Sequence, residues 1–407
     1  MEREAVMPAT GPPPLQARPA GTRAAGKNPP QTGPASPGDP NRPAISQAVI
    51  KKRLQSLALL SQKHNCPNIF LNGPENRRYF SGYTPSDPML VESSGFLLIT
   101  PKRRILLTDS RYDLAARQEA PLFETVIYQG SLVKTLAETV DLTEGLWFEP
   151  RFLTVEKLAE LRSVLKIQIQ PLPFDPSVLR RVKAPAELAL IQKALVITET
   201  AVGRLWRALR AGWTEGRAAW FLDQAFRELG AEGSAFETIV ASGPQAALPH
   251  ATPGAKVIQK GEMVVIDCGA RYQGYAADIT RTRCLGRPTA WQRQIYRVVR
   301  EAQTRALAAL GPDKTGAEVD QVARDWISQA GFGDFFGHGL GHGVGLAVHE
   351  GPNLSRLNQE KLPVGAVVTV EPGIYLPGRG GVRLEQMAVV TKGGCQVLNQ
   401  DVNFYEF

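Results

Sequence analysis

The stretch MVVIDCGARYQGYAADITRT, from Met263 to Thr282, decides the fold of this 407-residue chain. It contains two apolar runs, each with one aspartate, and glycines lie between them. Such runs around turn residues predict a β-hairpin that turns about Tyr272-Gln273. In that register Asp267 and Asp278 lie directly opposite each other on one face, where like charges are destabilising. Either aspartate alone could be a turn residue, but two on buried strands predict a metal site, because a bound cation removes the repulsion.

A second pair of apolar runs repeats this pattern downstream. VVTVE ends at Glu371, and VRLEQMAVV carries Glu385. A turn near Gly378 places these two glutamates opposite each other. Pro372 must interrupt the ladder beside Glu371, because proline has no N–H to donate. The sequence therefore predicts two strand pairs, each of which presents two acids on one face.

Between the strand pairs lies FGHGLGHGVGLAVHEGP (336–352), which holds three of the five histidines of the chain. Histidine is a common metal ligand and a proton carrier near neutral pH, and glycine allows close approach of the backbone. A plain glycine-rich loop is the alternative for this stretch taken alone. Four carboxylates and a histidine suit two hard or borderline divalent ions better than one structural zinc. The zinc-protease motif HExxH is absent, since Gly-Pro-Asn follows His349-Glu350.

The composition is that of a soluble globular protein, with 43% hydrophobic and 21% charged residues. The net charge of +8 comes without a basic block or interleaved aromatics, so we expect no nucleic-acid binding. Four scattered cysteines without a CxxC motif indicate neither a disulfide framework nor a zinc ribbon, and they favour a cytoplasmic location. No apolar run is long enough to predict a membrane span.

The order of predicted elements divides the chain into three parts. Residues 1–45 hold eleven of the 31 prolines and predict a disordered tail. Residues 46–176 alternate short strands with helices, which predicts an α/β domain. Residues 177–407 begin with two helices and continue with strands and a second helix pair, and this domain carries all the candidate chemistry.

With these motifs assembled, the chain resembles the pita-bread metallopeptidases, in the branch of Xaa-Pro aminopeptidases and Xaa-Pro dipeptidases (prolidases). The likeness rests on the hairpin stretch and on ASGPQAALPHATP (241–253), GHGLGHGVGLAVHEGP, VEPGIY and GVRLE, together with RRYFSGY and LLTDSRY in the front domain. It implies an α/β (α+β) fold in which an N-terminal creatinase-like α/β domain precedes a C-terminal pita-bread (creatinase/aminopeptidase) domain.

The resemblance also implies a set of metal ligands. Asp267 would bind one ion, Asp278 and Glu385 would bridge two ions, and His342 and Glu371 would complete the second. The implied cofactor is two divalent metal ions per subunit, Mn²⁺ or Co²⁺ before Zn²⁺ or Fe²⁺, all of which accept such ligands.

The remaining candidate residues are implied to serve the substrate and the proton transfers. His250 and His349 would hydrogen-bond the substrate and the tetrahedral intermediate. Glu371 would carry a proton from a metal-bridging water to the leaving nitrogen. His338 would lie beside the ligands or the proline, and Arg383 would orient the metal carboxylates.

The implied reaction is hydrolysis of the Xaa–Pro bond at the N-terminus of peptides or in dipeptides, so the substrates carry proline in second position. A homodimer is also expected. Methionine aminopeptidase-like activity, a creatinase-like amidinohydrolase and a non-catalytic peptide-binding protein are the alternatives. The front domain and the 14-residue gap between Glu371 and Glu385 argue against a methionine aminopeptidase. The complete ligand set argues against an amidinohydrolase and against a non-catalytic protein. Gln245, Ala347 and Gln386 depart from the family pattern and leave substrate preference open.

Overall fold

The computed structural model describes residues 45–87, 89 and 91–401, so the tail predicted at 1–45 lies almost wholly outside the described residues. No helix in the described part of the chain is long and apolar enough to cross a membrane.

The first domain is built on a six-stranded mixed sheet with helices around it. Its strands are β1 (Ile69–Leu71), β2 (Phe96–Ile99), β3 (Arg104–Thr108), β4 (Glu124–Ile127), β5 (Leu146–Phe148) and β6 (Ile169–Pro171). Its helices are α1 (Gln47–His64), α2 (Pro74–Ser81), α3 (Asp113–Glu119), α4 (Leu132–Thr139) and α5 (Val155–Leu165). The sheet order is β4-β3-β2-β1-β5-β6, with antiparallel pairs at β1–β2 and β2–β3 and parallel pairs elsewhere. The predicted α/β domain is confirmed, and β2 and β3 form a hairpin within it.

Helices α2 and α4 were not predicted from the sequence. In α2 the apolar period is hidden by Arg77, whose side chain is fully buried. Its guanidinium donates to both carboxylate oxygens of Asp87, at 2.9 and 3.0 Å, which makes an inward-facing arginine tolerable. Such a pair depends on a loop ten residues away, so helical periodicity cannot reveal it.

The second domain has four helices and thirteen strands among the described residues. The helices are α6 (Pro185–Ala208), α7 (Glu215–Glu228), α8 (Ala290–Ala309) and α9 (Gly316–Gln329). The strands are β7 (Gly233–Ser234), β8 (Ile239–Ser242), β9 (Met263–Cys268), β10 (Ala270–Tyr272), β11 (Tyr275–Ala276), β12 (Ile279–Cys284), β13 (Gly341–Gly343), β14 (Glu350–Leu354), β15 (Val367–Val370), β16 (Gly373–Leu376), β17 (Gly380–Arg383), β18 (Gln386–Thr391) and β19 (Gly394–Val397). The predicted helix pairs are confirmed, and the Thr214 side chain caps the start of α7.

The helix pairs pack on the β-sheets through two apolar cores. The sheets β12-β9-β8 and β14-β13-β15-β18-β19 supply most of the strands. Alternate side chains of β15 enter different cores: Val367 packs in the core that contains α6 and α7, and Val368 and Val370 pack with α8 and α9. Both faces of this strand are therefore buried, which explains its continuous apolar sequence.

The predicted register of the first aspartate hairpin is wrong. Asp267 pairs with Thr280 rather than with Asp278. The turn residues are Gln273 and Gly274, whose φ angles of 47° and 80° are typical of a two-residue hairpin turn, and glycine adopts this conformation at little cost. The pairing is therefore shifted by two residues, and Asp278 keeps the same face as Asp267 because side chains alternate with a period of two.

The second strand pair has the predicted register. Val370 pairs with Gln386, and Gly373 pairs with Arg383. Glu371 and Glu385 therefore lie at facing positions between these pairs. The ladder is broken beside Pro372, as expected, and the two long predicted strands become four short ones.

A buried ion cluster joins the two domains. Glu350 on β14 accepts hydrogen bonds from Arg180 at 3.0 Å and from Lys183 at 2.7 Å. Arg180 also donates to Asn76 on α2, and Asn76 donates to Glu149. All five side chains are buried. The segment between the domains is thus fixed to both of them by charge-assisted hydrogen bonds.

The cluster predicts a large stability effect at Glu350. Glu350→Ala leaves two buried cations without their carboxylate and should lower the free energy of unfolding by about 3–5 kcal/mol. Glu360→Ala is the matched control, because it breaks the exposed Arg181–Glu360 pair and should cost no more than about 1 kcal/mol. Urea unfolding followed by circular dichroism measures both. Equal midpoints for the two variants would contradict the structural role of Glu350.

Candidate active site and metal centre

A cavity of about 580 Å³ opens at the strand pairs of the second domain. Eight of the nine predicted site residues line it, namely His250, Asp267, Asp278, His338, His342, His349, Glu371 and Arg383. Glu385, the ninth, is only 1% exposed and lies next to this group. The structure thus brings together residues that are spread over more than 130 positions of the sequence.

The five residues proposed as ligands form two overlapping clusters. Ligand atoms of Asp267, Asp278 and Glu385 lie within 4.8 Å of one another, and so do those of His342, Glu371 and Glu385. Asp267 is the second-last residue of β9 and His342 lies in the three-residue strand β13, while each of the other three acids directly precedes or follows a strand. Carboxylates from two strand pairs therefore meet the histidine of a third segment.

Three features of this cluster fit divalent cations. Burial raises the pKa of Asp278 well above the usual range for aspartate, and the charges of Glu385 and Asp267 raise it further. Burial likewise raises the pKa of Glu385, with Glu371 and Asp267 adding to the shift. Oδ1 of Asp267 and Oε1 of Glu385 are buried without a hydrogen-bond partner among the described residues. Oxygen donors that repel one another and lack partners are suited to hard cations.

His342 is held so that one ring nitrogen faces the acids. Its Nδ1 lies 3.1 Å from the Gly343 carbonyl oxygen, and its Nε2 lies 3.3 Å from Oε1 of Glu371 and 3.6 Å from Oδ2 of Asp278. Burial alone would raise the pKa of Glu371, but its hydrogen bond to His342 and the charge of that ring lower it to about 2. A backbone bond at Nδ1 is the usual way to direct Nε2 at a metal.

Close packing explains why the residues on either side of His342 are glycines. A Cβ atom on Gly341 would lie 2.1 Å from the Thr369 carbonyl oxygen. One on Gly343 would lie 2.3 Å from the Gly351 carbonyl oxygen. Only glycine therefore allows β13 to lie this close to its neighbouring chain segments, as the sequence predicted for this stretch.

His349 and His250 lie in the cavity as exposed side chains. The His349 and His342 rings meet edge to face with centroids 4.4 Å apart, and a ligand atom of His349 lies within 4.8 Å of those of Asp278 and His342. Partial desolvation by the cavity walls, together with the neighbouring His342, lowers the pKa of His349. A neutral ring at this place can donate a hydrogen bond to a substrate oxygen.

The guanidinium of Arg383 is the main organiser of the metal carboxylates. It donates to Oδ2 of Asp267 at 2.6 Å, to the Tyr375 hydroxyl at 2.8 Å and to Oγ1 of Thr280 at 3.0 Å. It also donates to the carbonyl oxygen of Pro249, the residue before His250, at 3.2 Å. One buried cation thus connects the acid cluster to the loop that carries His250.

Sequence reasoning missed three polar residues beside the ligands. Thr280 donates to Glu385 at 2.8 Å, and Thr369 donates to Glu371 at 3.3 Å. The Tyr375 hydroxyl lies 2.9 Å from Nε2 of His338, so this histidine contacts the Arg383 network rather than the acids directly. A two-residue spacing from a ligand marks both threonines in the sequence, because such residues share a strand face. No local signal marks Tyr375.

The loop that carries His250 is anchored at both ends on the start of α7. The Glu215 carboxylate accepts hydrogen bonds from the backbone N–H and the hydroxyl of Ser242, at 2.7 and 2.8 Å. The backbone N–H of Glu215 donates to the carbonyl oxygen of Lys256 at 3.0 Å. Lys256 in turn donates to Ser242 at 2.6 Å. In the sequence this buried glutamate is marked only as an acid in the first turn of a helix.

Known proteins share this architecture. Residues 189–392 match metallopeptidase family M24, and residues 53–182 match the creatinase/prolidase N-terminal domain. The Xaa-Pro dipeptidase of Pyrococcus furiosus is 36% identical over 86% of this chain and 98% of its own length.

Two solved structures show the same likeness in three dimensions. An Xaa-Pro dipeptidase from Bacillus anthracis superposes with a TM-score of 0.81 at 34% identity, over 86% of this chain and 98% of that chain. An X-Pro aminopeptidase from Thermotoga maritima superposes with a TM-score of 0.78 at 37% identity, over 86% of this chain and 97% of that chain. The predicted creatinase-like domain and pita-bread domain are confirmed, while the boundaries 46–176 and 177–407 stay predictions. The chain therefore belongs to metallopeptidase family M24, with a creatinase/prolidase N-terminal domain in front of its catalytic domain.

Proposed function

We propose that this protein is a metal-dependent exopeptidase that hydrolyses the Xaa–Pro bond at the N-terminus of its substrates. The observation that carries the proposal is the convergence of four carboxylates and one histidine on a cavity, with two carboxylate oxygens left without partners. Relatives that match 86% of this chain over 97–98% of their own length carry the names Xaa-Pro dipeptidase and X-Pro aminopeptidase. Homodimer formation and a cytoplasmic location stay predictions.

Two divalent ions fit the ligand set. Asp267, Asp278 and Glu385 would hold one ion, and His342, Glu371, Asp278 and Glu385 would hold the other. When bound, such ions supply Lewis acidity and a nucleophile at neutral pH. Arg383 keeps Asp267 in place, and Thr280 keeps Glu385 in place, so the carboxylates need little rearrangement.

The protein's own groups then handle the substrate carbonyl and the protons. Glu371 lines the cavity with 15% of its side chain exposed, and its carboxylate can accept a proton and return it to the leaving nitrogen. His349 and His250 lie in the same cavity and can donate hydrogen bonds to the carbonyl oxygen as it gains charge. These roles follow the chemistry of proline, whose amide nitrogen has no hydrogen and must receive a proton when it leaves.

A substrate panel tests the proposal. The purified full chain is loaded with Mn²⁺ or Co²⁺ and incubated with Xaa-Pro dipeptides, Xaa-Pro-Yaa tripeptides and Met-Ala-Ser. We expect release of the residue before proline and no cleavage of Met-Ala-Ser. Failure to cleave every proline substrate, with metal confirmed as bound, would refute the proposed activity, and preference for Met-Ala-Ser would indicate a methionine aminopeptidase.

Asp278→Ala should abolish both metal binding and activity. The variant removes a carboxylate that is proposed to hold both ions, so the metal content should fall below one ion per chain and kcat/KM should fall by more than about 100-fold. Elemental analysis and peptide hydrolysis measure the two effects. The control is Asp334→Ala, because Asp334 is exposed and lies outside the cavity. This variant should keep the wild-type metal content and activity. Two bound ions in Asp278→Ala would contradict a bridging position.

His349→Ala should separate metal binding from turnover. The ring is not one of the five proposed ligands, so the metal content should match the wild type, while loss of a donor to the developing oxyanion should lower kcat by about 10²–10³. His64→Ala, in the first domain, controls for the loss of a histidine. Unchanged kcat in His349→Ala would make this histidine a purely structural residue.

A further inference from the structure

A dipeptide that ends in proline differs from a longer peptide by one free carboxylate beside the proline ring. A cation close to this charge favours the dipeptide, whereas a like charge nearby disfavours it. The charges and polar groups of the cavity wall therefore help to decide whether the site favours dipeptides or longer peptides.

The cavity offers a carboxylate no available permanent cation among the described residues. Arg383 is the one lysine or arginine that lines it, and this guanidinium is 3% exposed and already donates to Asp267, Tyr375, Thr280 and Pro249. The exposed carboxylate of Glu237 also lines the wall and would repel a substrate anion.

Three neutral polar side chains also line the wall. Thr252, Asn353 and Ser355 face the cavity, and none of their side chains makes a hydrogen bond within the part of the chain that the structure describes. An amide and two hydroxyls can both donate and accept, which matches the C=O and N–H groups of a continuing peptide. They offer no charge to a terminal carboxylate.

We infer that the enzyme is an aminopeptidase for Xaa-Pro peptides of three or more residues, and that the neutral wall around Asn353 selects against Xaa-Pro dipeptides. The inference rests on the proposed Xaa–Pro hydrolysis and adds the class of substrate. Arg356 follows Ser355 in the chain but is exposed and does not line the cavity, so it has no part in this selection.

A matched pair of substrates isolates the carboxylate. Ala-Pro and Ala-Pro-NH₂ have the same length and shape and differ in the terminal charge, and Ala-Pro-Ala extends the chain by one residue. With the Mn²⁺-loaded full chain, kcat/KM for Ala-Pro-NH₂ and Ala-Pro-Ala should exceed that for Ala-Pro by at least about tenfold, because Glu237 repels a terminal carboxylate and no available lysine or arginine of the described wall offsets that charge. Equal or faster cleavage of Ala-Pro would overturn the inference and leave the proposed function intact. No cleavage of any of the three would overturn both.

Two variants test the wall itself. Asn353→Arg places a guanidinium at the cavity and should raise the ratio of kcat/KM for Ala-Pro over Ala-Pro-NH₂ by about tenfold, because a charge-assisted hydrogen bond becomes available. Asn353→Gln keeps the wall neutral and should leave this ratio low. An unchanged ratio in a folded, metal-loaded Asn353→Arg would overturn the role of the wall. So would a selective loss of Ala-Pro cleavage in Arg356→Ala, since it would identify Arg356 as a carboxylate-binding residue.

Discussion

The repulsion among four closely placed carboxylates, of which Asp278 and Glu385 are buried, is the constraint on which the rest of the catalytic domain depends. Burying an unpaired charge costs several kcal/mol, so such a group persists in a folded chain only with compensation. Here His342 and Arg383 compensate part of the charge, and two carboxylate oxygens still lack partners among the described residues. Three features hold these acids together at a place where cations can bind. They are the two strand pairs, the glycines of β13 and the threonines that donate to Glu385 and Glu371.

The same framework connects the acids to the groups that would meet the substrate. Arg383 donates both to Asp267 and to the backbone beside His250. Glu350, in the interdomain ion cluster, directly follows His349 in the chain. The position of each of these exposed histidines is therefore coupled to a buried charge network, one within the catalytic domain and one between the domains.

Features that depend on a local sequence pattern could be predicted from the sequence. Strands, helix pairs and the facing positions of Glu371 and Glu385 follow from apolar periodicity and from the place of proline and glycine. Features that depend on distant partners were not accessible: Arg77 is buried in α2 because Asp87 pairs with it, and Tyr375 matters because Arg383 and His338 meet its hydroxyl. The neutral wall likewise appears only when β14 lies beside the cavity.

The error in the first hairpin shows why site prediction can survive a wrong register. A shift of one residue would have turned Asp278 away from Asp267, whereas the actual shift of two keeps both on one face. The turn residues Gln273 and Gly274 decide between registers through backbone conformation, which apolar periodicity does not contain. The hydrophobic pattern determines which face is buried, and so it limits register errors to even steps. Two acids that share the buried face in one of these registers share it in every register that differs by an even number of residues. A cation site inferred from that shared face therefore stays correct when the exact register is wrong.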